Sequence, residues 1–238
     1  IAELARESVP EIVNSAYDTK NMTFGPEYII PKPLDPRLIT WVAPAVAKAA
    51  IKSKVSQYTI TDWAAYKQEL IERLGLDNKL IRVITSKAKQ NIKRVVFAEA
   101  DSYKILKAAQ IVNDEGIAKP ILLGNVEKIT AMIEDNNLDL KGIPIIDPRS
   151  KAEQKTRHRF GDNLYDKRRR RGLTLYESRK LMQERNYFGA SMVDTGAADV
   201  LISGLTRKYP DTIRPALQVI GVGEGVRRIA GMYIIITK

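Results

Sequence analysis

Arg94-Val95-Val96-Phe97-Ala98, Pro120-Ile121-Leu122-Leu123-Gly124 and Ile143 to Ile146 are short apolar runs, and the residues between them, 103–113 and 126–135, carry helical spacing. Each run is continuous rather than alternating, the pattern of a strand buried on both faces, and such strands belong to parallel sheets covered on both sides by crossover helices. The βαβαβ order, closed by right-handed crossovers, predicts an α/β fold built on a doubly wound, mostly parallel sheet.

Toward the C-terminus, Asp199 to Gly204 reads as a further strand ending in a small-residue turn. Asp211 to Ile220 reads as a helix capped by Asp211, and Ala230 to Ile236 as a final strand. Residues 151–190 hold 12 basic and five acidic side chains. Leu173, Leu175, Ser178 and Leu181 recur there at helical intervals, with Thr174 and Glu177 spaced as a capping box, so this segment is expected to form a pair of helices rather than a disordered tail.

Toward the N-terminus, Trp63, Tyr66, Leu70 and Leu74, then Leu80 to Ile84, predict two helices, and polar residues 55–61 read as a linker. Leu38, Val42, Val46, Ala49 and Ala50 follow Asp35 and Pro36, an acceptor and an N1 proline, and predict a helix to about Lys54. Pro26, Pro31, Pro33 and Pro36 mark an extended loop, and residues 1–17 read as helical but broken by Pro10.

The chain has 238 residues, 44% of them hydrophobic and 28% charged, which excludes disorder and collagen-like repeats. The net charge of +11 points to an anionic partner: nucleic acid, membrane surface or a phosphorylated small molecule. With no cysteine and one histidine, disulfides, thiolate nucleophiles and Cys-based zinc sites are excluded, and little room remains for a His-rich metal site or an ordinary triad. No apolar run approaches the roughly 18 residues of a membrane span, and the start shows neither initiator Met nor signal peptide. A cytoplasmic setting and a piece of a longer polypeptide are expected.

Four motifs bear on chemistry. Arg168-Arg169-Arg170-Arg171 reads as a solvated helix with one or two useful arginines, as a phosphate or coenzyme contact, or as a nucleic-acid patch; four successive helical residues point in about four directions. A nucleic-acid footprint would add interleaved aromatics or a recognisable module, and neither occurs. Gly221-Val222-Gly223-Glu224-Gly225 follows a predicted helix rather than opening one, so it reads as a turn and not as a dinucleotide fingerprint. Ser203 to Arg207 followed by Asp211-Thr212-Ile213-Arg214-Pro215 places small and hydroxyl residues at a strand's carboxyl end before a helix whose first turn carries an arginine. That arrangement suits an anionic ligand, and an exposed Arg214 on a simply capped helix is the equal alternative. His158 has no second ligand in reach of its motif and reads as a surface side chain.

Two stretches resemble known families. Phe24 to Leu38, with Gly25-Pro26-Glu27-Tyr28-Ile29-Ile30-Pro31-Lys32-Pro33-Leu34-Asp35-Pro36-Arg37, and then Val42 to Ala47, resemble the end of the nicotinamide-binding domain of bacterial NADP-dependent malic enzymes. Arg94 to Ala100, Gly172 to Glu177, Arg185 to Gly189 and Tyr209 to Gln218 resemble the phosphotransacetylase-type domain fused behind it in the large hybrid malic enzymes. The resemblance implies residues 1–54 as the end of a Rossmann-type NAD(P)-binding domain, 55–61 as linker and 62–238 as a phosphotransacetylase-like domain incomplete at its C-terminus.

It further implies a parent that decarboxylates malate oxidatively to pyruvate with NADP and Mg or Mn, a cytoplasmic homo-oligomer, a hexamer in this family, with no nucleic-acid or membrane partner. No malic-enzyme catalytic residue and no metal ligand carries over to this segment. In transacetylases, arginines hold phosphate and the anionic groups of coenzyme A, and Arg168 and Arg214 match two of them. Ser203, Thr206 and Arg207 complete the acetyl-CoA and phosphate-binding set. Simple transacetylases carry small or His-type residues after Ser203-Gly204, whereas this chain has Leu205-Thr206-Arg207-Lys208-Tyr209-Pro210. The departure speaks against transacetylase turnover, and the resemblance to the hybrid enzymes implies that the domain binds acetyl-CoA as a regulatory ligand, with active phosphate acetyl transfer as the alternative.

Overall fold

The computed structural model describes residues 1–19, 22–74, 79–223, 225–226, 229, 231–232 and 235. The chain divides into two compact units, Ile1–Lys87 and Ala88–Lys238.

In the first unit, Pro10 separates helix α1 (Ala2–Arg6) from α2 (Glu11–Ala16), since a proline interrupts the helical hydrogen-bond ladder. Ala5, Val9 and Val13 close over Tyr28 as a small core, and buried Asn14 accepts the Met22 N–H at 3.0 Å, fastening the loop that follows. The helix expected from Asp35-Pro36 begins later. Asp35 accepts the Arg37 N–H and its guanidinium, and Arg37 also donates to the Ser8 carbonyl at 2.7 Å, so this pair ties the loop down instead of capping a helix. A wide turn of π-helix, Leu38–Val42, then leads into α3 (Ala43–Lys52). Residues 55–61 carry no helix or strand. Helix α4 (Trp63–Arg73) starts where Asp62 accepts the N–H groups of Ala64 and Ala65, both at 2.9 Å, and α5 covers Lys79–Gln90.

The second unit is a parallel α/β sheet. β1 (Lys93–Phe97), α6 (Tyr103–Asp114), β2 (Ala118–Leu123), α7 (Val126–Asp135) and β3 (Ile145–Ile146) follow in order. They are followed by α8 (Gln154–Arg168), α9 (Leu175–Leu181), α10 (Arg185–Asp194), β4 (Val200–Ile202) and α11 (Tyr209–Val219). The strand order is β3-β2-β1-β4, every pairing parallel, with Val96 beside Ile121 on one side and Leu201 on the other. The chain therefore steps outward from β1 to β3 and returns across it to β4, so the direction of winding reverses between β1 and β4. Pro120 sits in β2 without breaking it. The N–H groups of Leu122 and Gly124 face β3, so the donor Pro120 lacks faces the same side, ahead of the β3 pairing that starts at Leu122.

Alternation along the strands builds a core on each face. Val95, Phe97 and Leu122 pack with Leu106 and Ala109 of α6 and Ile129 of α7. Val96, Ile121 and Leu123 pack with Phe160 and Leu164 of α8, Phe188 and Met192 of α10 and Val219 of α11.

The basic segment forms three α-helices where a pair was expected. Gly172, at φ +86°, ends the run in a left-handed conformation that favours glycine. Thr174 and Glu177 then form the full capping box that starts α9. Residues 169–171 are a 3₁₀ turn, so the four arginines do not share one helix. The cap of α11 lies three residues ahead of the expected Asp211: Lys208 is the N-cap and Pro210 occupies the first turn, where its missing N–H leaves nothing unsatisfied. Of the expected strand Ala230 to Ile236, residues 230, 233, 234 and 236 lie outside the described ones, and Gly231, Met232 and Ile235 carry no strand.

α8 and α9 meet through Gly161, where an added Cβ would stand 2.7 Å from the Arg179 Cα, and Arg179 grips the neighbouring Asp162 at 2.7 Å. Gly161→Ala is expected to cost about 1–3 kcal/mol through forced separation of the helices, read as a lower urea midpoint at unchanged slope. β1 and the turn before β4 are joined by Arg94, whose backbone N–H and guanidinium both donate to Asp199 while the guanidinium also reaches the carbonyls of Gly196 and Ala197. These hydrogen bonds hold the Asp199 carboxyl at about 2, below its ordinary value of 3.8. A depressed carboxyl stabilises the fold above its ordinary range and loses that contribution as pH falls through the folded value. Asp199→Asn is therefore expected to unfold earlier than the parent chain near neutral pH, with the gap closing as pH is lowered toward about 2.

Candidate anion-binding site

In an open parallel sheet the crevice for a ligand lies at the carboxyl ends of the strands where the winding reverses. Here that place is the gap between the end of β1 and the end of β4. Glu99, two residues past β1, is 4% exposed. Its Oε1 accepts the Gly204 N–H at 3.0 Å, and its Oε2 accepts the Thr206 N–H at 2.7 Å and the Thr206 hydroxyl at 3.1 Å. The Ser203 hydroxyl lies 3.1 Å from Glu99 Oε1 and 2.8 Å from Asn186 Oδ1, and its single proton is shared between them. Burial pushes the Glu99 carboxyl up, but the donors from Gly204, Thr206 and Ser203 outweigh it and leave the group below its ordinary value.

Asn186, at the start of α10 and also buried, extends this network into α11. Its amide donates to the Asp211 carbonyl at 3.4 Å. Pro215, four residues on, has no N–H to offer that carbonyl, so Asn186 supplies the donor the helix lacks. Asp101, two residues beyond Glu99, receives both nitrogens of Arg185 at 2.6 and 3.2 Å, and those hydrogen bonds lower the Asp101 carboxyl and raise the Arg185 guanidinium.

Farther along α11, toward the end of that helix away from the junction, lies an open cavity of about 730 Å³ between the end of α8 and α11, lined by Lys167, Arg168, Arg171 and Arg214 and by an apolar floor that includes Ile213 and Leu217. Arg168 is half-buried, and its guanidinium donates to the carbonyls of Leu217 and, at 2.9 Å, Gln218. Lys167 donates to the Val219 carbonyl at 2.8 Å and to both oxygens of Asp194 at 2.6 Å. These cations satisfy the last carbonyls of α11, where positive charge is favoured by the helix dipole. Arg171 and Arg214 form no ion pair among the described residues. Buried Tyr187 holds the lining residue Gln218, its hydroxyl donating to the Gln218 side chain at 2.6 Å.

Of the expected site residues, the structure brings Arg168 and Arg214 to one cavity. Ser203 and Thr206 turn their donors onto Glu99, and Arg207 points to Glu184 at 3.4 Å. Arg214 stands in the second turn of α11 because the helix starts early. Arg171, from the arginine run, and Lys167, just before it, join the cavity. Glu99 and Asn186 were missed in the sequence because their partners lie up to 107 residues away; the one local signal is an acid placed directly after a doubly buried strand. His158 is exposed and lies near enough to Asp162 to help lower its carboxyl, after the larger effect of Arg179. Gly221 ends α11 and lines the cavity.

Comparison with known proteins bears on the same elements. The Phosphate acetyl/butaryl transferase family matches residues 79–238. A protein of Rickettsia prowazekii named "Probable NADP-dependent malic enzyme" is 38% identical over 242 residues, covering 100% of this chain and 31% of that protein. A "Phosphate acetyltransferase" of Helicobacter pylori is 34% identical over 168 residues, covering 71% of this chain and 31% of the relative. A solved phosphotransacetylase from Streptococcus pyogenes is 30% identical, with a TM-score of 0.57 over 63% of this chain and 44% of that one. The chain thus spans about a third of the malic enzyme that it matches end to end.

Arg168→Ala is expected to destabilise the second unit by roughly 1–2 kcal/mol, since two carbonyls lose a charged donor at a half-buried site. Urea unfolding followed by circular dichroism reads the loss.

Proposed function

The chain belongs to the Phosphate acetyl/butaryl transferase family, and from its similarity over its whole length to a protein named as an NADP-dependent malic enzyme we propose that it is part of such an enzyme, whose transacetylase-like unit binds acetyl-CoA as a regulatory ligand. The observation that carries this reading is the convergence of Lys167, Arg168, Arg171 and Arg214 on one cavity with an apolar floor. Guanidinium forks match phosphate oxygens in bidentate pairs, and acetyl-CoA presents phosphates at one end of an otherwise partly apolar molecule.

The parent reaction, oxidative decarboxylation of malate to pyruvate, takes NADP and a divalent metal. The residues of this segment do not fit either group. Among the described residues no cluster of three or more His, Cys, Asp or Glu side chains could hold a metal ion, and the glycine-rich turn at Gly221 closes a helix instead of opening one. No catalytic step is therefore assigned to these residues, and acetyl-CoA acts here by favouring one state of the assembly over another. Such coupling requires different affinities for the two states and is reciprocal. A homo-oligomer, in the form of a hexamer, is the assembly proposed to carry it. Among the described residues no helix is long and apolar enough to cross a membrane, and the small-molecule ligands malate and acetyl-CoA are the partners proposed.

The test is malate-dependent NADPH formation by the full-length enzyme, titrated with acetyl-CoA. Acetyl-CoA is expected to change the rate, and Arg214→Ala to raise the half-effect concentration by about tenfold or more, the loss of one charge-assisted hydrogen bond. An unchanged half-effect concentration overturns the assignment of Arg214. Formation of acetyl phosphate from acetyl-CoA and phosphate would make the unit a catalyst instead.

A further inference from the structure

A buried carboxylate ordinarily pairs with a cation, because removing a charge from water is costly. Glu99 forms no ion pair among the described residues: its oxygens meet the Gly204 and Thr206 N–H groups and the Ser203 and Thr206 hydroxyls, while Arg185, near enough for the Glu99 charge to help raise its guanidinium, gives its own hydrogen bonds to Asp101. The loop after β4 is thus wrapped around an internal anion. It leads within three residues into α11, whose first turn is held by Asn186 at the carbonyl that Pro215 leaves without a donor. The far end of the same helix is clasped by Lys167 and Arg168. Only the near end depends on Glu99, and Arg214 lies between the two.

We propose that Glu99 is the positioning residue of the arginine cavity: by gathering the loop 203–206 onto the end of β1 it sets where α11 begins and so where Arg214 stands. The proposal rests on the reading of that cavity as an acetyl-CoA site. Glu99 itself does not touch the ligand. Its loss acts through the loop, and a neutral amide cannot replace it, because whichever way the Gln amide turns, its N–H₂ faces a backbone N–H, of Gly204 or of Thr206, that can only donate.

The experiment compares Glu99→Gln and the milder Thr206→Val, which removes one hydroxyl bond, with Leu106→Ala. Leu106 belongs to the core on the opposite face of the sheet, so its variant lowers stability without touching the loop. In the full-length enzyme, acetyl-CoA affinity is measured by calorimetry, and amide hydrogen exchange is followed by mass spectrometry over 203–214. Glu99→Gln is expected to weaken acetyl-CoA binding tenfold or more and to speed exchange locally over 203–214. Thr206→Val is expected to fall between it and the parent, and Leu106→Ala to leave affinity within twofold. Unchanged affinity in Glu99→Gln, or equal weakening in Leu106→Ala, overturns the proposal. If the parent enzyme itself fails to bind acetyl-CoA, the reading of the cavity falls. Exchange then decides alone: acceleration confined to 203–214 in Glu99→Gln supports the positioning role, and uniform acceleration overturns it.

Discussion

Burying Glu99 at the end of β1 forces the surrounding chain to supply donors, and meeting that demand organises the face of the sheet where a ligand would bind. The carboxylate collects the loop after β4. That loop delivers Ser203 to Asn186, and Asn186 reaches the Asp211 carbonyl in the first turn of α11. Each link satisfies a polar group that would otherwise be stranded away from water. The result is a rigid junction of β1, β4, α10 and α11 at the point where the sheet reverses its winding.

The rest of the second unit fits around that junction. Two cores grip the sheet from opposite faces, and the core that includes α8, α10 and α11 is drawn close by small residues. At Gly189 an added Cβ would come 2.7 Å from the Leu201 side chain, so α10 lies almost directly on the strands. α11 is then fixed at both ends by different chemistry: neutral hydrogen bonds at the start, cations at the finish. The cavity is the space left between α11 and the end of α8, and its charge follows from the arginines that the α8 terminus and the 3₁₀ turn present together.

Much of the architecture is legible locally. Continuous runs at Val95 to Ala98 and Pro120 to Leu123 mark strands covered on both faces, the Thr174–Glu177 pair announces a helix start, and Pro10 announces a break. What escapes such reading is chemistry shared across long sequence separations. The start of α11 is misplaced when Asp211 is taken for its cap, because a proline in the first turn serves as well. Arg168 and Arg214 are recognisable as cavity residues from the family's motifs. That Arg168 uses its nitrogens on carbonyls about fifty residues away, and that Ser203 and Thr206 face an internal carboxylate, depends on the folded chain alone.

The central claim is that the cavity between α8 and α11 takes the phosphate-bearing end of acetyl-CoA. A crystal structure of the full-length protein grown with acetyl-CoA tests it most directly. The account predicts ligand phosphate within hydrogen-bond distance of Arg214, with Glu99 still holding Gly204 and Thr206. Ligand bound elsewhere, with the cavity left to solvent, would contradict it.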